Sequence, residues 1–252
     1  MTTNRLPIEA ARGFNGEAVL AVEQLSVVLS GIAILHDLNF VVRRGQTLAI
    51  IGPNGCGKTV LLKALLKLLP YQGKITWAPG VRIGYVPQKV AADRQMPLLV
   101  RDLLAATARI LRLPASAVKT ACAQAAMSAE LLDSGIGVIS GGQFQKVLIA
   151  SSLLGEPDVL LFDEPTASLD ELEEERIYEL LDRLQAERGL TVLMVSHDLS
   201  IVHRTADLVL CLSRGTTCLG APDKVLTPEL LEAAYGAPQR YYRHRRDTER
   251  GL

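Results

Sequence analysis

Apolar runs of four or five residues recur along this chain, and their spacing divides it into three stretches. In the first, residues 18–22, 25–29 and 38–42 are rich in Val, Leu and Ile and predict strands. Residues 45–51 lead through another predicted strand into a glycine-rich segment, and a helix is predicted from Lys58. Short strands at 74–77 and 82–86 follow, so this early region reads as a mixed or antiparallel sheet beside the main core. From about residue 91 to 137 the pattern changes to Ala and Leu punctuated by Pro97 and Pro114, which predicts a helical subdomain. In the third stretch apolar strands (159–162, 191–195, 208–212) alternate with helices (144–154, 172–187), the signature of a parallel sheet covered on both faces. The expected class is α/β, with a mainly parallel core sheet, an antiparallel β subdomain and a helical subdomain.

Composition narrows the picture. With 252 residues, 48% of them hydrophobic, the chain can build one sizeable domain with a subdomain. Residues 1–16 and 236–252 read as polar tails around a domain spanning 17–235, whose helical subdomain covers about 91–140. Lys and Arg total 27 and so do Asp and Glu, which argues against a general nucleic-acid binder needing a basic surface. Cys56, Cys122, Cys211 and Cys218 form no CxxC pair and read as reduced thiols. No segment reaches the ~20 apolar residues of a membrane span. The best run, residues 60–70, is interrupted by Lys63 and Lys67 and reads as an amphipathic helix. The first sixteen residues carry Arg5, Glu9 and Arg12 and do not read as a secretory signal.

Three motifs carry chemistry. GPNGCGKT, residues 52–59, fits G-x-x-x-x-G-K-[ST] after an apolar strand and before a helix. Its glycines free backbone N–H groups to wrap phosphates at a positive helix end. Lys58 is expected to reach the β and γ phosphates, and the Thr59 hydroxyl to bind Mg²⁺. Gly52, Pro53, Asn54, Gly55, Cys56, Gly57, Lys58, Thr59 and Val60 are the candidate nucleotide contacts. VLLFDE, residues 159–164, is a buried strand ending in two carboxylates; Asp163 is placed to hold Mg²⁺ and Glu164 to polarise the attacking water. The third motif is SGGQ, with Ser140, Gly141, Gly142 and Gln143 opening a helix. By itself it reads first as a helix N-cap, since Ser is a favoured cap, and only second as another anion site.

Taken in order, GPNGCGKT, YVPQ, ISGGQ, LLFDEP, ASLD and VSHD resemble the ATPase subunit of ABC transporters, from about Ala18 to at least Gly220. The resemblance implies a P-loop NTPase core using ATP and Mg²⁺. It implies that Gln88 touches Mg²⁺ and lies in the loop facing the membrane subunits. His197 would contact the γ-phosphate, and Asp170 would couple two active sites. It further implies a homodimer, with Ser140, Gly142 and Gln143 of one copy completing the nucleotide site of the other. Partners would be integral membrane permease subunits and, indirectly, an extracytoplasmic solute-binding protein. The location would be the cytoplasmic face of the membrane, with the subunit attached peripherally.

Spacing and departures refine the resemblance. Only 51 residues separate Gln88 from Ser140, which leaves no room for the long coiled coil of chromosome-organising relatives. The position that normally presents an adenine-stacking aromatic holds Leu29, and Val60 replaces a second hydroxyl. RIGYVPQKV, TVLMVSHDLSIV, DLVLCLSRG and the YYRHRRD ending are most similar to zinc and manganese importer ATPases. The alternatives are import of an iron chelate or cobalamin, export, or a soluble ABC protein outside transport. A scaffold without turnover is disfavoured by Glu164 and His197.

Overall fold

In the computed structural model the described residues are 16–88, 97–164, 171–213 and 217–236, with side chains described from 174 in the third span. The chain forms two units, one from residues 1–79 and 193–252 and the other from 80–192. The first segment carries β1 (Ala18–Leu29), β2 (Ile32–Arg43), β3 (Thr47–Ile51), α1 (Lys58–Leu65) and β4 (Gln72–Trp77). The second unit follows with β5 (Ile83–Val86), α2 (Val100–Ile110), α3 (Ala115–Gln124), α4 (Ala129–Leu132), α5 (Gly141–Leu153), β6 (Val159–Asp163) and α6 (Glu171–Arg188). Strand β7 (Thr191–Val195) carries the chain back to the first unit. That unit then adds α7 (Leu199–Thr205), β8 (Leu208–Leu212), β9 (Thr217–Gly220), α8 (Pro222–Val225) and α9 (Pro228–Tyr235).

In the first unit β1 is flanked by β2 and β4, both antiparallel to it. The runs at 18–22 and 25–29 are one strand, not two. Gln24 takes a left-handed turn at φ 52, and its N–H donates to Asn39 Oδ1 at 2.8 Å, so the ladder shifts register there without ending. Strands β3 and β8 pair in parallel, and β9 returns antiparallel to β8. Every residue of β3 and of β8 is buried. The first apolar face of α1, Leu61 and Leu62, is fully buried, each worth about 2 kcal/mol of apolar transfer. Helix α1 stops at Leu65, short of the expected end near residue 70. Leu65 presents its carbonyl to the Trp77 indole N–H, at 3.1 Å.

In the second unit β5 corrects the sequence reading. It does not join the early antiparallel sheet. It lies parallel to β6, with Ile83 opposite Val159 and Tyr85 opposite Leu161. Arg82 fixes the entry to this pair: its backbone N–H donates to Asp158 Oδ2 at 2.9 Å and its guanidinium to the Gly155 carbonyl at 2.7 Å. Helices α2, α3 and α4 occupy much of the stretch expected to be helical, and Leu104 and Ala108 of α2, Ala121 of α3 and Leu131 of α4 are among their buried residues.

Candidate nucleotide site

In the first unit the glycine-rich loop leaves β3 at Gly52 and enters α1 at Lys58. Gly52 has φ 144, and a Cβ there would lie 2.0 Å from the Leu212 carbonyl oxygen, so only glycine fits. Gly57 caps α1 in the left-handed region at φ 107, where a Cβ would press on Ile34 and Leu35. The loop closes on itself through Cys56 N–H to the Pro53 carbonyl, at 3.3 Å. Lys58 is buried, and its ammonium donates to the Gly52 carbonyl at 3.0 Å and to the Pro53 carbonyl at 3.3 Å. A buried ammonium held by carbonyls at the start of a helix is a charge ready for a phosphate. Thr59 and Val60 are half-buried on the first turn of α1.

His197 follows β7 and is exposed. Its neighbour Asp198 caps α7, accepting from Ser200 N–H at 2.7 Å and from Ile201 N–H at 3.1 Å. Also in this unit is a cavity of about 590 Å³, bordered by Ile32, Ile34, His36, Gly55, Cys56 and Leu212. Leu29, at the position where relatives present an adenine-stacking aromatic, is half-buried at the end of β1. The four cysteines are free. Cys211 faces Cys218 across the β8–β9 ladder, and a hydrogen bond between the two side chains, followed by burial, pushes the Cys211 thiol up.

In the second unit Asp163 closes β6 and is almost fully buried, at 1% exposure. The Tyr85 hydroxyl donates to Asp163 Oδ2 at 3.3 Å. Burial first, then the charge of Asp163 and the bond to it, raise the Tyr85 hydroxyl to about 12. Glu164 follows with a left-handed backbone, φ 49, uncommon for a residue with a side chain. Gln88 Nε2 donates to Glu164 Oε2 at 2.5 Å, so the two residues singled out for Mg²⁺ contact and water activation meet directly. Asp170 lies outside the described residues.

The same unit resolves how SGGQ is held. Helix α5 begins at Gly141, three residues before the expected start. Ser140 and Gln143 form a capping box: Gln143 N–H donates to Ser140 Oγ at 3.1 Å, and Ser140 N–H donates to Gln143 Oε1 at 2.8 Å. The two readings of the motif are therefore compatible. The cap uses an oxygen lone pair of Ser140, and a hydroxyl that accepts in this way still has its own hydrogen to give. Gly142 is buried, while Ser140 and Gly141 are exposed. Sequence reasoning assigned no role to Tyr85, although it stands in the YVPQ motif, and overlooked Tyr235. The hydroxyl of Tyr235 accepts the Gly52 N–H at 3.0 Å. The signal for Tyr235 was faint: Thr227-Pro228 as a helix start and Gly236 as its left-handed stop.

No helix among the described residues is long and apolar enough to cross a membrane, and no group of three or more His, Cys, Asp or Glu among them is arranged to hold a metal ion. The family model for ABC transporters matches residues 35–167. The zinc import ATP-binding protein ZnuC of Pseudomonas entomophila is 38% identical over 240 residues, covering 94% of this chain and 92% of that protein. ZnuC of Ruegeria pomeroyi is 38% identical over 231 residues, covering 90% and 89%. Among solved structures, one described as the inward-facing conformation of a metal-chelate type ABC transporter superposes with a TM-score of 0.80 at 28% identity, covering 88% of this chain and 90% of that one. CbiO1 of Clostridium perfringens, part of the ABC transporter complex cbiONQ, superposes with a TM-score of 0.73 at 30% identity, covering 86% and 93%.

Proposed function

The chain belongs to the ABC transporter family as an ATP-binding, ATP-hydrolysing subunit, and from that premise we propose that it energises uptake of a divalent metal ion, zinc foremost, through a membrane permease. The observation that carries the metal is the match to zinc import ATPases over nine-tenths of both chains. The motor itself does not touch the cargo, so the relatives are the support for this step and the chemistry of the motor is not.

We assign the roles as follows. Lys58 and the N–H groups of the loop hold the phosphates, and its burial on the loop's own carbonyls supports that role. Mg²⁺, bound with the nucleotide, would be held by the Thr59 hydroxyl and the Asp163 carboxylate, with Gln88 as a further oxygen donor. The fit rests on hard oxygen ligands and on a buried carboxylate that a cation stabilises. That ion would neutralise charge on the phosphate oxygens. Glu164 orients and polarises the attacking water once Gln88 releases it, and His197 donates to the γ-phosphate. Ser140, Gly142 and Gln143 face the nucleotide of a second copy. A ligand shared between copies binds the closed dimer better than the open one and so drives closure. Catalysis is positioning and charge stabilisation.

The subunit works from the cytoplasmic face of the membrane, in a complex with permease subunits and, indirectly through them, with an extracytoplasmic solute-binding protein. Vesicles holding the purified complex, with ATP on the motor side, should take up zinc or manganese in preference to iron. ATP-dependent uptake of an iron chelate or cobalamin instead would assign the second reading, which the metal-chelate structure favours. Failure to copurify with any multi-span membrane protein would point to a soluble ABC protein.

A further inference from the structure

The phosphate loop is tied down from a place remote in sequence. Helix α9 starts at the Thr227 cap, whose hydroxyl accepts the Leu230 N–H at 3.4 Å, and stops at Gly236 with φ 71. Tyr235 is its last residue, and its hydroxyl accepts the Gly52 N–H at 3.0 Å across 183 positions of sequence. Gly52 is held at its other end as well, since its carbonyl accepts from the Lys58 ammonium. The residue between these two bonds is a glycine, the type with the most backbone freedom. Its surroundings are tight: Cys56 Sγ would lie 2.9 Å from a Cβ on Gly52, and the Leu212 carbonyl closer still.

These two holds differ in what a phosphate does to them. Lys58 is expected to move its donors from the loop carbonyls to the incoming phosphate. The bond from Gly52 N–H to Tyr235 does not involve the Lys58 ammonium, so that exchange leaves its donor and acceptor in place. Burial, opposed by the Gly52 bond and reinforced by the nearby thiols Cys211 and Cys56, raises the Tyr235 hydroxyl to about 12. The phenol therefore stays neutral over the working range and keeps accepting from Gly52. Losing one such bond leaves a loop N–H unmatched and lets the glycine explore conformations that do not present the loop amides.

We infer that Tyr235 is a positioning residue for the phosphate loop, fixing Gly52 so that nucleotide meets a preorganised cradle. The inference rests on the reading of residues 52–59 as the nucleotide site. The test uses the full chain with Tyr235→Phe, which keeps the ring and removes only the hydroxyl, beside Lys58→Ala. ATP affinity is measured by calorimetry and hydrolysis by phosphate release. Tyr235→Phe is expected to raise Kd and KM for ATP about fivefold, the worth of one hydrogen bond, with kcat within about twofold of the parent. Amide exchange should quicken in the peptide covering residues 48–57 and not in peptides from α2 or α3. Unchanged Kd and KM, or unchanged exchange in that peptide, overturns the inference. So does a fall in kcat matched by a general loss of thermal stability, which marks a merely structural residue. Lys58→Ala separates the two levels: loss of ATP binding there with no effect of Tyr235→Phe defeats the role of Tyr235, whereas intact binding in Lys58→Ala defeats the phosphate-loop reading itself.

Discussion

Glu164 holds a left-handed backbone at φ 49, which costs roughly 1 kcal/mol for a residue with a Cβ and persists only where neighbours enforce it. Strain of this kind concentrates at working groups. Here it delivers a carboxylate to Gln88 directly after the buried end of β6. Glu164→Gln should retain ATP binding while slowing hydrolysis by at least about a hundredfold, the usual weight of a general base, and should accumulate an ATP-bound dimer on gel filtration. Near-normal phosphate release in that variant would remove Glu164 from its role. Leu29 makes the opposite kind of prediction. A base lying on aliphatic side chains loses the stacking energy of an aromatic, worth ~1–3 kcal/mol per base. Leu29→Tyr should therefore tighten ATP binding by roughly fivefold or more, read by calorimetry; no change would mean that the base does not reach the end of β1.

At the scale of an element, α5 shows how a helix end is prepared for a second task. Its capping box is worth about 1 kcal/mol, so Ser140→Ala should lower the denaturation midpoint modestly. Ser140→Arg should leave ATP binding intact and abolish hydrolysis, because the bulk falls where a partner's nucleotide is expected; an unaffected rate would argue against a shared site. These elements also show what the sequence could and could not convey. Strands β6, β7 and β8 were readable because every residue in them is buried and all but Asp163 and Thr191 are apolar. The pairing of β5 was not readable: four residues carry too little pattern to distinguish an antiparallel from a parallel neighbour, and that choice is made by β6, more than 70 residues away. The candidate site was legible wherever spacing encodes phosphate chemistry. Tyr235 was illegible because its contact with Gly52 depends on tertiary packing and has no local pattern.

Across the whole molecule, two half-buried tyrosines set a common limit. Tyr85 and Tyr235 both have hydroxyls raised from an ordinary 10.0 to about 12, one in each unit. Below pH 10 both are protonated folded or unfolded, and pH has no hold on stability through them. Between 10 and 12 the unfolded chain releases those protons first, so stability falls as pH rises through this window. The melting temperature should drop there, and the drop should shrink in the Tyr85→Phe, Tyr235→Phe double variant; an equally steep fall in that variant would assign the loss to other groups. The sequence holds a single tryptophan, and its indole is tied to the carbonyl that ends α1, the helix whose first residue is Lys58. The molecule thus carries a built-in optical probe at the far end of the helix that begins at the phosphate loop. Emission from Trp77 should change when ATP seats, giving a label-free trace of binding in time and separating nucleotide arrival from hydrolysis within one turnover.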